Sequence, residues 1–323
     1  MSDTGLAVGV DVGGSKTAAL RIDATGTVLA RHVLPTPADD TQGILDTMVA
    51  AVREVVTPDV RTVGVGAAGL VEAGVGRLTF APNLAWRNVP LAEWVWDTLG
   101  LPALADNDNN AAAWGEYRLG AGRGSGHMLF VGVGTGIGGG IVVDGALLRG
   151  AHGFAAEVGH VVVEPDGPLC GCGNRGCWEQ VASGHALTRA GREAARQHPR
   201  SMISRMSGGD PGAVTGPLVT DAARSGDPVA RGILARVGER LGVGLAGLAN
   251  VLDPDVVVVG GGVSSAGDHV LEPARHAFAR ALEAPAHRPP VPILQAELGN
   301  DAGAIGAALL SMEELTERWM PQR

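Results

Sequence analysis

The 323-residue sequence has one lysine, three cysteines and fewer basic than acidic residues. Its 25 basic residues, Lys16 and 24 arginines, face 34 acidic ones, for a formal net charge of −9. A protein whose main partner is nucleic acid needs a basic face for the phosphates, and this balance argues against that class. No run of 18 apolar residues occurs, so no membrane-spanning helix is expected. The start, "MSDTGLAVGVD", lacks a basic stretch followed by a long apolar one, so a secretory signal is not expected either. Three cysteines fit no disulfide framework, and the expectation is a cytoplasmic protein. What remains, 45% hydrophobic and 18% charged, is a globular chain long enough for two domains.

The lone lysine lies in "GVDVGGSKTAALRID" (Gly9–Asp23), close to a phosphate-binding loop of the form G-x-x-x-x-G-K-[ST]. Gly9 and Gly14 have the spacing, but Ser15 separates Gly14 from Lys16, and such a loop must open a helix. The residues after Lys16 instead alternate apolar and polar around Asp23–Gly26, which is the pattern of a hairpin. The stretch therefore reads as strand, glycine turn, strand. "GTGIGG" (Gly134–Gly139) is a second decoy: it fits G-x-G-x-x-G, yet strand and turn follow it where a dinucleotide-binding motif needs a helix. Both turns still suit phosphates, since backbone N–H groups can approach where side chains are absent.

Three echoes run through the chain in the same order. "LAVGVDVGG" (Leu6–Gly14) returns as "LFVGVGTGI" (Leu129–Ile137). "PDVRTVGVGAAG" (Pro58–Gly69) returns as "PDVVVVGGGVSS" (Pro254–Ser265), each time with a helical pattern before it. In the first such helix Ile44, Met48 and Val52 share a face with Leu45 and Val49 beside them; the second starts at Asp227–Pro228, an N-cap followed by proline. "PALADNDNNAAA" (Pro102–Ala113) parallels "PILQAELGNDAGA" (Pro292–Ala304), a strand, an Asn-Asp pair and a small-residue helix. The shared order predicts two copies of β-β-β-α-β-α-β-α, two similar α/β lobes facing a cleft with glycine turns pointing in.

All three cysteines fall within "CGCGNRGC" (Cys170–Cys177), ten residues after His160 of "EVGH". A Cys₃His set satisfies every thiolate with tetrahedral zinc, and the site reads as structural. The competing reading is a trio of buried or redox-active thiols.

Taken together, "DVGGSKT", "DNDNNAAAWGEYRLGAG", "GTGIGGG", "EVGH" and "CGCGNRGCWE" resemble the ROK family of sugar kinases, within the actin-like, hexokinase-like ATPase fold. The layout is most similar to bacterial zinc-containing, ATP-dependent glucokinases. One departure is Ser15, where such kinases often carry threonine. The resemblance implies transfer of a phosphoryl group from ATP to the 6-hydroxyl of glucose, with Mg²⁺ and structural Zn²⁺, and a place in glycolysis. It implies nucleotide contacts at Asp11, Gly13, Gly14, Ser15, Lys16 and Thr17 on the first turn and at Gly134, Thr135 and Gly136 on the second. Asp11 would support Mg²⁺, Lys16 would add a point charge, and Gly261, Gly262 and Val263 would shape the adenosine pocket. Asn83, Asn107, Glu157, His160 and Glu179 would meet the sugar, with His160 also joining Cys170, Cys172 and Cys177 as a zinc ligand. For the base, Asp106 and Asp108 stand two apart at a predicted strand end, where they would share a face. The family's Asn-Asp pair maps to Asn107–Asp108, which selects Asp108 and leaves Asp106 as a solvated strand-end residue or a helix-dipole partner.

Two competing functions remain. A kinase for fructose, mannose or an N-acetylhexosamine would carry the same motifs, because specificity lies in loop shape. A sugar-sensing regulator would need a DNA-binding module, and the first strand already starts at Leu6. The expected division is residues 1–120 with 303–323 as the small lobe, holding the first phosphate turn and the base. Residues 121–302 then form the large lobe, with the second turn, the zinc site and the adenosine pocket. Hinges are expected near Gly120–Gly122 and Asn300–Gly303, a homo-oligomer is implied by the resemblance, and "RMSGGDPGAVTGP" (Arg205–Pro217) reads as a mobile loop.

Overall fold

The computed structural model describes residues 5–315; residues 1–4 and 316–323, assigned above to the small lobe, lie outside the described residues. In chain order the elements begin β1 (Leu6–Val12), β2 (Lys16–Ile22), β3 (Val28–Pro35), α1 (Thr41–Val55) and β4 (Val60–Ala67). There follow β5 (Leu70–Glu72), β6 (Arg77–Phe80), β7 (Arg87–Val89), α2 (Leu91–Leu99), β8 (Ala103–Asn107) and α3 (Asp108–Leu119). The second half opens with β9 (Met128–Val133), β10 (Ile137–Val143) and β11 (Ala146–Leu147), then α4 (Glu179–Ala182), α5 (Gly184–Gln197), α6 (Met202–Met206) and α7 (Gly216–Arg224). It closes with α8 (Pro228–Leu252), β12 (Val256–Gly260), α9 (Asp268–Ala281), β13 (Ile293–Gln295) and α10 (Ala302–Glu314).

The duplication is visible in the sheets, ordered β3-β2-β1-β4-β8 and β11-β10-β9-β12-β13. In each, the first strand of the copy sits centrally beside a parallel partner, β1 with β4 and β9 with β12. The small sheet β5-β6-β7 interrupts the first copy only. The predicted caps are present: Asp227 accepts from the N–H groups of Val229 and Ala230 at the start of α8, with Pro228 in the first turn.

The chain divides into two compact units. The first holds the described residues through Gly126, Gly140–Ala156, and those from Glu297 on; the second holds His127–Gly139 and Glu157–Ala296. These bounds differ from the expected ones chiefly at 140–156. That segment groups with the first unit, where Arg149 meets Asp106 and the His152 carbonyl accepts from the N–H of Ala73.

In the first unit the two faces of the sheet differ in residue size. Val8, Val10, Val63, Val65, Ala103 and Ala105 pack with Ile44, Leu45, Met48 and Val52 of α1 in one apolar core. The opposite face carries Gly9 and Gly64, against which α10 lies so closely that a Cβ at either would stand 1.8 Å from a carbonyl oxygen, of Ala304 or Ala307. In the second unit Gly238 and Gly242 of α8 perform the same service for α9. Arg205–Pro217, expected to be mobile, is ordered instead. Asp210 caps the 3₁₀ turn Pro211–Ala213, Thr215 caps α7, and Val214 between them is fully buried. Burial of Val214 anchors a segment whose glycine and proline content suggested a free loop.

Gly64→Ala or Gly9→Ala is therefore expected to cost about 1–3 kcal/mol or more by overpacking. Gly247→Ala, on an exposed face of α8 where a Cβ meets nothing within 4 Å, is expected to gain about 0.5–1 kcal/mol. Denaturant midpoints of the three variants check both signs.

Candidate active site

Asp11 is the last residue but one of β1, and the turn after it is closed by Gly13 N–H donating to the Lys16 carbonyl at 3.0 Å. Gly14, Ser15 and Lys16 are exposed, and a Cβ on Gly13 would meet only the Lys16 carbonyl oxygen, at 3.5 Å. Thr17 behaves otherwise: it is fully buried and its hydroxyl bonds that of Thr36 at 2.9 Å, bracing the hairpin beneath the turn. Burial first and the charge of Asp108 second push the Asp11 carboxyl up to about 7, against the opposing pull of Lys16. Gly303, in the first turn of α10, leaves room for that carboxylate, since a Cβ there would stand 3.0 Å from its carbon.

Asp108 and Asp106 do not share a strand face. Strand β8 ends at Asn107, which caps α3, and Asp108 is the first residue of the helix. Asn107 Oδ1 accepts from the N–H groups of Asn109 and Asn110 at 2.8 and 3.1 Å, and its Nδ2 donates to the Gly69 carbonyl at 3.0 Å. The Asp108 carboxyl is raised by burial, against hydrogen bonds that Asn109 donates to its Oδ1 from N and Nδ2. Asp106 is not a solvated residue either; it is 5% exposed and ion-paired with Arg149 at 2.7 Å. Asn83 is exposed on a loop whose backbone lies against Gly14. Arg87 secures that loop, donating through Nη1 to the carbonyls of Ala81, Leu84 and Trp86 at 2.6–2.9 Å with its guanidinium over the Phe80 ring. Arg87 and Arg149 were not predicted from sequence, where each is one arginine among 24.

In the second unit the Gly134–Gly136 turn joins β9 to β10, as the absence of a helix pattern predicts. A Cβ on Gly134 would meet nothing within 4 Å, so its backbone is bare. The turn is docked on the start of α5, where Gly184 and His185 donate to the carbonyls of Gly134 and Thr135 at 2.9 and 3.1 Å. Gly261 lies against Val133, at the end of β9, with φ +81° and no room for a side chain. Gly261 and Gly262 are exposed, whereas Val263 turns its side chain into the core. The two glycine segments are thus neighbours within the unit.

Glu157 precedes a 3₁₀ turn, Val158–His160, that puts His160 Nε2 3.9 Å from its own carboxylate. Gly159 is required there, because a Cβ would lie 2.0 Å from the Ile137 carbonyl oxygen. His160 Nδ1 faces the thiols, 3.6 Å from Cys170, and Cys172 and Cys177 are also 3.6 Å apart. The ligand atoms of His160, Cys170, Cys172 and Cys177 all lie within 4.8 Å of one another. Glu179 touches both features: Oε1 accepts from the Cys170 thiol at 3.0 Å and Oε2 from the Ile137 N–H at 3.4 Å. Burial, and next among the raising causes this carboxylate, push the Cys170 thiol up to about 12.

The ROK family model matches residues 7–314. This chain belongs to the ROK family. Within the family it is 44% identical to the glucokinase of Streptomyces coelicolor over 312 residues, 96% of this chain and 98% of that one. It is 36% identical to the glucokinase of Halalkalibacterium halodurans, over 95% of each chain. A ROK family glucokinase from Streptomyces griseus, solved with glucose and AMPPNP, superposes with a TM-score of 0.89 at 45% identity, covering 95% of this chain and 99% of the other. The fold is that of the hexokinase-like ATPases, as the motifs imply. Among the described residues no helix is long and apolar enough to cross a membrane.

The raised Asp11 carboxyl has a consequence for this ROK chain's stability. A group with a folded value near 7 and an unfolded value near 3.8 holds a proton in the native state, so its contribution fades as pH rises between them. Asp11→Asn is expected to raise the melting temperature of ligand-free protein above roughly pH 8 and to leave it unchanged near pH ~4. Thermal melts at the two pH values check the sign.

Proposed function

We propose that the protein is an ATP-dependent glucokinase, transferring the γ-phosphoryl group of ATP to the 6-hydroxyl of glucose. The supporting observation is a pair of shielded carboxylates, Asp11 and Asp108, with bare glycine backbone beside the first, in a chain matched along its length by a glucokinase solved with glucose and AMPPNP. Asp108 is the base. Asn109 occupies its Oδ1, which leaves Oδ2 to accept the proton of the 6-hydroxyl, and a carboxyl raised by burial is a stronger base than a solvated one. Gly13, Gly14 and Ser15 with Lys16, and separately Gly134–Gly136, offer N–H groups and one ammonium to phosphate oxygens. Gly261 and Gly262 offer a flat backbone surface to the adenosine. Asn83, Asn107, Glu157, His160 and Glu179 are assigned to the sugar hydroxyls, although the Asn107 side chain is largely engaged as a cap.

The acidic pair fits a divalent cation, because a positive charge placed by Asp11 offsets the burial and the Asp108 repulsion that raise its pKa. When bound, Mg²⁺ neutralises charge developing on the transferred group. The Cys₃His set fits zinc: tetrahedral bonds to sulfur put neighbouring ligand atoms roughly 3.8 Å apart, close to the 3.6 Å spacings present. With Nδ1 turned to the thiols, His160 keeps Nε2 and Glu157 for a hydroxyl. The same reading places the protein in the cytoplasm and its product in glycolysis.

ADP release with Mg-ATP is expected to depend on glucose and to exceed that with fructose, mannose or N-acetylmannosamine. Asp108→Asn is expected to lower kcat by about 10²–10⁴-fold with the KM for ATP nearly unchanged. A panel in which another sugar turns over faster replaces the substrate, and no sugar-dependent turnover overturns the reading. Elemental analysis is expected to give one zinc per chain. Cys177→Ser is expected to lose the metal and several degrees of melting temperature.

A further inference from the structure

Asp106 lies two residues before Asp108 and spends its two oxygens on different partners. Oδ1 accepts from the Asn107 N–H at 2.7 Å and from Asn110 Nδ2 at 2.9 Å. Oδ2 accepts from Arg149 Nε at 2.7 Å, and Arg149 Nη2 donates to Glu314 of α10 at 2.7 Å. A carboxylate, a guanidinium and a second carboxylate thus connect α10 to the first turn of α3, the turn that begins with Asp108.

We propose that Asp106 and Arg149 are positioning residues that hold the Asp108 carboxylate in line for phosphoryl transfer; this rests on the reading of Asp108 as the base. Asn107 is where β8 becomes α3, at φ −61° and ψ 144°, and the direction of the helix start depends on that one peptide. Oδ1 of Asp106 holds the peptide from in front, through the Asn107 N–H, and from behind, through the side chain of Asn110. Asp106 cannot itself serve as the base, since both of its oxygens are occupied. Burying a carboxylate this deeply costs free energy unless it is paired, and Arg149 supplies the pair. Arg149 uses one edge of its fork on two carboxylates, a geometry that a lysine ammonium reproduces only in part. Beside the pair lies a cavity of about 380 Å³ lined by Ala73, Gly74, Gly76, Ala92 and neighbouring alanines. A small guanidinium ion fits that space.

The experiment compares Asp106→Asn, Arg149→Lys and Arg149→Ala in two backgrounds, wild type and Asp108→Asn, by glucose-dependent ADP formation. In the wild-type background Asp106→Asn is expected to lower kcat about ten- to a hundred-fold, with both KM values within about two-fold. Arg149→Lys is expected to fall between wild type and Arg149→Ala, and ethylguanidinium is expected to restore part of the Arg149→Ala rate. In the Asp108→Asn background the same changes are expected to add almost nothing, because they act through the missing carboxylate. An equal fold-loss in both backgrounds overturns the proposal in favour of a purely structural role. So does an Asp106→Asn enzyme as fast as wild type. Should Asp106→Asn fail to fold, the Arg149 variants and their rescue decide the matter alone. If wild type is active and Asp108→Asn is slowed by the expected factor, a negative result sinks this inference only. If wild type shows no sugar-dependent turnover, the kinase reading falls with it.

Discussion

The architecture of the first unit depends on one steric constraint: helix α10 must touch the backbone of the sheet. Gly9 and Gly64 leave no side chain between them, and Gly306 lets the carbonyl of Ala111 on α3 approach the same helix. Because α10 and α3 are drawn in this far, their first turns arrive beside the end of β1. That is why Asp11, Asp108 and Asp301 come to share one neighbourhood. The composition of both helices follows from the same need. "NNAAAWGEY" and "AGAIGAALL" are small-residue runs, poor in the bulky side chains that usually give a helix its stabilising face.

Gathering acids in this way works against stability. Shielding from water and mutual repulsion both favour the protonated form, so the ligand-free unit carries unfavourable electrostatics that a cation would relieve. The second unit differs, with three cysteine sulfurs and bare backbone amides meeting at one shared side chain, Glu179. Glu179 touches both neighbours at once, the Cys170 thiol through Oε1 and, through Oε2, the first N–H of the strand that follows the Gly134 turn.

Periodicity and punctuation made much of the fold legible. The three echoes located both five-stranded sheets, the Asp227–Pro228 cap located α8, and Ile44, Met48 and Val52 located the buried face of α1. The lack of a helix pattern after each glycine turn correctly predicted the strands that follow them, β2 and β10. The thiol cluster was legible because its ligands are close in sequence. What stayed hidden depends on partners far apart in the chain. Arg149 lies 43 residues from Asp106, and nothing local distinguishes it from other arginines. Asp106 looked solvated for the same reason. The period-two argument that put Asp106 and Asp108 on one face failed because the strand stopped one residue sooner than assumed. Arg205–Pro217 was misread because composition alone cannot show that Val214 is buried.

The solitary lysine has a practical meaning. Lys16 is the only side-chain amine in the sequence and is exposed on the first glycine turn. Reagents that couple to amines therefore find a single side chain here, besides the chain's α-amine, and that side chain adjoins Asp11. A dye or a solid support attached there would be uniform in placement. It would also stand where the phosphates are proposed to lie, so every molecule labelled on that lysine would be blocked in the same way.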